Sequence, residues 1–152
     1  MEFKLFRQIM ENLTALGSMV FLGLVFVYFL ITNYNIAFEL LFASIIGFIV
    51  IVIIRLLYFK TRPEHIGQKK PKGLVDYIDK SSFPSMHATN SFIMAIIIGF
   101  NQNNLYVFIF FILVAMLICI TRRYLDKHFT LDLIVGMVLG ITVSLFTIFV
   151  VF

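Results

Sequence analysis

Tryptophan is absent from this chain, cysteine occurs once, and charged residues make up only 13% of its 152 positions. Each shortage excludes something. A soluble domain averages about 25% charged residues, so a water-soluble enzyme is excluded, even one tethered by an anchor. The lone Cys119 allows no intramolecular disulfide and no cysteine-built metal site. It lies within an apolar run and reads as a small buried or lipid-facing residue. Tryptophan usually marks the membrane–water boundary; here Tyr34, Tyr58, Tyr106 and Tyr124 stand near the ends of apolar runs in its place. No run alternates with period two, which argues against a barrel. Internal repeats and low-complexity tracts are also missing.

What remains is overwhelmingly apolar. Hydrophobic residues reach 61% of the chain, and the mean hydropathy is +1.03. Five runs are candidates to cross a bilayer: Thr14–Thr32, Ile36–Ile54, Pro84–Phe100, Leu105–Ile120 and Phe129–Phe152. A hydrocarbon core of about 30 Å needs roughly 17–25 helical residues. The first, second and fifth runs reach that length outright, the third and fourth only with flanking polar residues. The expected fold is an all-α integral membrane helical bundle with one membrane-embedded domain, residues 13–152. Residues 1–12 mix Phe3, Leu5, Phe6 and Ile9 with Lys4, Arg7 and Glu11, which predicts a short interfacial helix. No small-residue cleavage site follows the first run, so a cleaved leader is not expected.

The polar residues fall in three clusters at the edges of these runs. They are Arg55-x6-Arg62-Pro63, Pro84-Ser85-Met86-His87 and Thr121-Arg122-x5-His128-x3-Asp132. A chain that crosses five times places all three on one side. The charge distribution agrees, because all 12 Lys and Arg residues lie on that side or in the N-terminal segment that shares it. Basic residues near span ends mark the cytoplasmic face, so the expected arrangement has the N-terminus and the clusters inside. The bases include Lys69, Lys70, Lys72 and Lys80 in the long Lys60–Phe83 connection.

The residue types suit chemistry at phosphorus. His128 and Asp132 are four apart, so on a helix they share a face and the carboxylate can hold the imidazole. An aspartate inside an apolar run normally has a partner. The simpler alternative is a helix-start aspartate favoured by the dipole, beside an interfacial histidine. Pro84 suits a first helical position and Ser85 a cap. His87 would then stand at a helix N-terminus, where free amides attract anions, and could protonate a departing alkoxide. Pro63 predicts that the second span ends near Arg62. Taken alone, Arg55 and Arg62 read as snorkelling arginines at a boundary, and Arg122-Arg123 as a topology signal. Together they form a set of guanidinium forks matched to phosphoryl oxygens. His87, His128 and Asp132 could instead ligate a metal, but three neighbouring arginines would repel a cation and do its work. His65, in the charged loop, is expected to be solvated.

These motifs resemble those of the type 2 phosphatidic acid phosphatase superfamily, which includes membrane lipid phosphatases and vanadium haloperoxidases. The family pattern is Lys-x6-Arg-Pro, Pro-Ser-Gly-His and Ser-Arg-x5-His-x3-Asp, in that order. The resemblance spans Arg55 to Asp132, with Arg55 for Lys, Thr121 for Ser and Met86 for Gly. Met86 adds bulk where backbone approaches phosphate. Membrane members commonly have six spans, so the expected count is five, or six. The resemblance implies that His128 attacks phosphorus to form a phosphohistidine, that Asp132 orients it, and that His87 protonates the leaving oxygen and later activates water. Arg55, Arg62, Ser85 and Arg122 would hold the phosphoryl oxygens. No metal or other cofactor is implied. The implied partners are the bilayer and a lipid phosphate, with no nucleic acid. Polyprenyl (undecaprenyl) diphosphate is the first expectation for substrate, with phosphatidic acid or phosphatidylglycerophosphate as alternatives. A lipid phosphotransferase and a non-catalytic headgroup binder remain open, as does sidedness, because many bacterial relatives place the site on the outer face.

Overall fold

The sequence predicts helices throughout, and the computed structural model, which describes residues 2–67 and 71–151, contains seven α-helices and no strand among them. They are α1 (Glu2–Thr14), α2 (Met19–Thr32), α3 (Tyr34–Leu57), α4 (Leu74–Lys80), α5 (Met86–Asn101), α6 (Leu105–Tyr124) and α7 (Thr130–Phe146). Met1, Lys69, Lys70 and Phe152, named above, lie outside the described residues.

Polar residues cut the apolar sequence into these lengths. The first run is not one straight span: the Ser18 hydroxyl accepts the Phe21 N–H at 3.2 Å and starts a new helix. The segments on either side of Ser18 bend by 51°, and only together do they reach membrane-crossing length. Asn33 is the whole connection from α2 to α3. Its N–H donates to the Phe29 carbonyl at 2.8 Å, and its side chain caps α3. Asn104 likewise caps α6, accepting from the Tyr106 and Val107 amides at 2.9 and 3.3 Å. The Lys60–Phe83 connection is not a plain loop, since it contains α4.

By length and composition α3, α6 and α7 with its terminal turn (Thr130–Val151) can each cross a bilayer. Helix α5 has 16 residues, about 24 Å at 1.5 Å per residue. It is the central strut, packed against α3, α6 and α7 and buried from Ala88 to Gly99. Its Ile93 and Ile97 meet Leu22 and Phe29 of α2, Leu40 of α3 and Val143 of α7. The outer faces carry Phe38, Phe42, Ile45 and Ile49 on α3 and Phe110 and Leu113 on α6, all exposed. That is the inversion expected of a bundle whose solvent is lipid.

Two glycines one helical turn apart bring α7 against α5. A Cβ on Gly136 would stand 2.6 Å from the Ser85 carbonyl oxygen, and one on Gly140 the same distance from that of Thr89. Small residues at this spacing let helix backbones touch in apolar surroundings. The Thr89 hydroxyl uses the proximity to donate to the Gly136 carbonyl at 3.0 Å. The contact fixes the starts of α5 and α7 side by side, and there the polar clusters meet. Helix α1 lies at the same end, with Phe6 edge-on to Tyr124 at 5.3 Å and Leu5, Phe6 and Ile9 exposed.

Candidate active site

Four chain segments converge at that end. Helix α3 stops at Leu57, not near Arg62 as Pro63 suggests, and the chain continues extended. Lys60, Thr61 and Arg62 run beside Ser81 and Ser82: Thr61 pairs with Ser81 as an antiparallel bridge, and the Ser82 N–H donates to the Lys60 carbonyl at 2.7 Å. Arg55, on the last turn of α3, is buried; its two Nη groups donate to the carbonyls of Ile78 and Pro84, each at 2.9 Å. It therefore ties α4 and the Ser81–Ser85 segment to α3. Arg62 is held loosely, 3.8 Å from Glu64 and 4.0 Å from Asp79. Arg55, Arg62 and Arg122 share one property: each has a buried Nε–H with no acceptor among the described residues. A buried donor without a partner costs about 1–3 kcal/mol, so the three together leave donor capacity that an acceptor could take up at this end of the bundle.

Pro84 is not the first helical residue. Ser85 is the cap of α5, accepting the Ala88 N–H at 3.4 Å, and Pro84 precedes it. Ser85 is fully buried, and its own N–H donates to the Asp132 carbonyl at 3.0 Å. Met86 and His87 occupy the first turn, where amides have no acceptor within the helix. Met86 takes an ordinary negative φ, so this turn needs no glycine.

His128 and Asp132 do not share a helix face. His128 lies in the turn before α7, Phe129 is the helix cap, and Asp132 is the third residue of the helix. The buried Asp132 carboxylate accepts the Phe129 N–H at 3.0 Å and the Lys60 ammonium at 2.5 Å, and it stands 3.8 Å from His128 Nδ1. His128 Nδ1 instead faces the Ser82 carbonyl at 2.8 Å, and Nε2 faces an Arg122 Nη at 3.3 Å. A carbonyl only accepts and a guanidinium only donates. Both contacts therefore require the same neutral tautomer, with the proton on Nδ1 and the lone pair on Nε2. Burial pulls the imidazole down from its ordinary 6.5 to about 4, against the opposing pull of Asp132 and with help from Arg122 and Arg62.

The cluster opens on a cavity of about 550 Å³ lined by Arg55, Arg62, Asp79, Met86, His87 and His128, with Phe48, Val52, Val75 and Ile78 as an apolar wall. Of the residues singled out from sequence, four line this cavity. Ser85 and Asp132 stand behind it, as does Arg122, against His128. Ser82 and Lys60 emerge only from the fold; Lys60 could have been suspected, because in an extended segment residues two apart face the same way as Arg62. His65 is half-buried beside Glu64, 3.9 Å away, rather than solvated. Among the described residues no group of three His, Cys, Asp or Glu could hold a metal ion.

Comparison with known proteins gives the family and the fold. The PAP2 superfamily model matches residues 36–152, from the start of α3 through all three polar clusters. The crystal structure of LpxE from Aquifex aeolicus superposes with a TM-score of 0.80 at 22% identity, covering 95% of this chain and 86% of that one; at that identity it speaks to the fold. No curated protein matches the sequence.

Proposed function

Because this chain belongs to the PAP2 superfamily, we propose that it is a metal-independent membrane lipid phosphatase working through a phosphohistidine. The observation that carries this reading is the joint presence, at one cavity, of a neutral imidazole with its tautomer fixed, two lining arginines and a third behind His128, each with a buried Nε–H that has no acceptor among the described residues. In the proposed cycle the phosphoryl group enters between Arg55, Arg62 and Arg122 and the amides at the start of α5. The His128 Nε2 lone pair forms the N–P bond as the P–O bond to the lipid breaks, and His87 gives a proton to the departing oxygen. Water then attacks phosphorus, its proton passes to His87, and the N–P bond breaks to release phosphate and restore His128. The arginines neutralise the charge that develops on the phosphoryl oxygens.

For the substrate we propose a lipid phosphate or diphosphate, with polyprenyl diphosphate first and phosphatidic acid or phosphatidylglycerophosphate next. The wall of Phe48, Val52, Val75 and Ile78 supports a substrate whose tail stays apolar beside the headgroup. The charge distribution supports a cytoplasmic site. Setting aside Arg55, Arg62 and Arg122, every other described basic residue still lies at the site end or in the N-terminal segment.

The test is phosphate release from a panel of these three lipids by the full chain in detergent with a chelator present. Turnover that vanishes in His128→Ala and is inhibited by vanadate is expected. Undiminished release by His128→Ala would sink the mechanism. Tight lipid binding without turnover would favour a headgroup binder, and product formed only when an acceptor lipid is added would favour phosphotransfer.

A further inference from the structure

The aspartate implied as the partner of His128 has a closer one. We propose that Lys60, which lies between the arginines of the first cluster, is a positioning residue for the nucleophile: it occupies the Asp132 carboxylate and sets Ser82, so that the imidazole donates Nδ1–H to the Ser82 carbonyl and keeps its lone pair toward the cavity. The inference rests on the phosphohistidine reading above and assigns a role within that site.

Lys60 touches both groups that orient His128. Its ammonium lies 2.5 Å from Asp132 Oδ1, and the other carboxylate oxygen takes the Phe129 N–H at 3.0 Å. Its backbone carbonyl accepts the Ser82 N–H at 2.7 Å, and its N–H points at the Ser81 hydroxyl at 3.5 Å. The ammonium is seated between rings, 4.5 Å from the centre of Phe129 and 5.8 Å from that of Phe83. A lysine so held has an electrostatic berth on every side. Phe129 follows His128 and Phe83 follows Ser82, so the rings that hold the lysine belong to the two segments it aligns.

The charge logic follows. A carboxylate beside an imidazole raises its basicity and makes the cation more abundant at a given pH. The imidazole of His128 shares its surroundings with Arg55 from α3, Arg62 and Lys60 from the extended segment, Asp79 from α4, His87 from α5, Arg122 from α6 and Asp132 from α7. Asp132 is the buried acid in that set, whereas Asp79 is exposed to solvent. With Lys60 bound to Asp132 the pair is neutral, and Arg122 and Arg62 disfavour protonation of the nucleophile. Without Lys60 the carboxylate keeps the Phe129 N–H and turns toward Nδ1–H, 3.8 Å away. The imidazole then gains an anionic partner and loses the neutral Ser82 carbonyl.

The chain's three histidines make a test independent of turnover. In His65→Gln/His87→Gln, ¹⁵N-histidine NMR of the full chain in detergent reports the titration and tautomer of His128 alone. Adding Lys60→Met should raise its midpoint by about one pH unit or more, the size expected for a nearby charge, and Lys60→Arg should restore it. In the otherwise native chain, Lys60→Met should move the acid limb of kcat/KM the same way and lower kcat roughly tenfold, with Lys60→Arg between. If Lys60→Met does not fold, Lys60→Gln carries the same expectation. An unmoved His128 midpoint overturns the role. A moved midpoint in a chain without phosphatase activity upholds the role of Lys60 and refutes the proposed function instead.

Discussion

An Nη of Arg122 stands 3.3 Å from His128 Nε2, the nitrogen that attacks in the proposed cycle. At rest the lone pair is covered by this donor; in the proposed cycle phosphate draws the guanidinium away, so that binding of the substrate and release of the nucleophile are one event. Arg122→Ala should therefore lower kcat by about 10²–10³, the usual effect of deleting a donor to developing charge. Its neighbour Arg123 is exposed and pairs with Asp126 at 3.2 Å. Arg123→Ala should change kcat/KM by no more than about 1 kcal/mol, the range of an exposed ion pair. Phosphate release by the two variants checks the assignment; equal losses would show that spacing misidentifies the arginine.

The depressed basicity of His128 has a sign that can be measured. Its folded value near 4 lies below the ordinary 6.5, so between those values the unfolded chain binds a proton that the folded chain does not. The stability linked to this group is fully present above about pH 6.5 and is lost as pH falls toward 4. Thermal unfolding in detergent across that window should show a slope that His128→Gln removes in part. A slope untouched by the substitution would place the acid sensitivity elsewhere.

The approach of α5 to α7 should tolerate no side chain at Gly136. A valine there must displace the Ser85 carbonyl, 2.6 Å from its Cβ, at the roughly 1–3 kcal/mol of an overpacked contact. Melting temperature and turnover should fall together in Gly136→Val, because the displaced residue caps the helix that carries His87. Gly23 is the control: a Cβ there meets nothing, and Gly23→Ala should leave activity unchanged and stabilise by up to about 1 kcal/mol. Loss of activity in the control would implicate the face of α2.

Orientation is open to chemical labelling. In a Cys119→Ser background, single cysteines at Lys72, in the basic connection, and Asn103, in the α5–α6 turn, lie at opposite ends of the bundle. An impermeant thiol reagent applied to intact cells should label Asn103→Cys and spare Lys72→Cys. The reverse pattern would put the site on the outer face.

The bundle was legible because its signals are local. Apolar runs set the helices, and Asn33 and Asn104 announce their turns by composition alone. The gathering of Arg55, Arg62, His87 and His128 followed from counting crossings. The partnerships did not. The four-residue interval from His128 to Asp132 reads as one helix face until Phe129 is seen to be the cap, and the sign of that was an acid three residues past a helix start. The partner of Asp132 is 72 positions away, beyond any periodicity. Ser18 breaks the first run although hydropathy passes over it smoothly; a serine, a residue suited to capping, directly after Gly17 was the hint.

The central place of α5 also bears on how the protein is made. Hemmed in by three neighbours, this helix shows lipid little of its surface, and its sixteen residues offer the bilayer less than the longer helices do. It has no independent reason to stay in the membrane until α6 and α7 arrive to enclose it. The polar end, hung on the start of α5, is therefore complete only once α7 is in place, and a nascent chain halted before Gly136 carries all three motifs without the small-residue contact that seats α7 against α5.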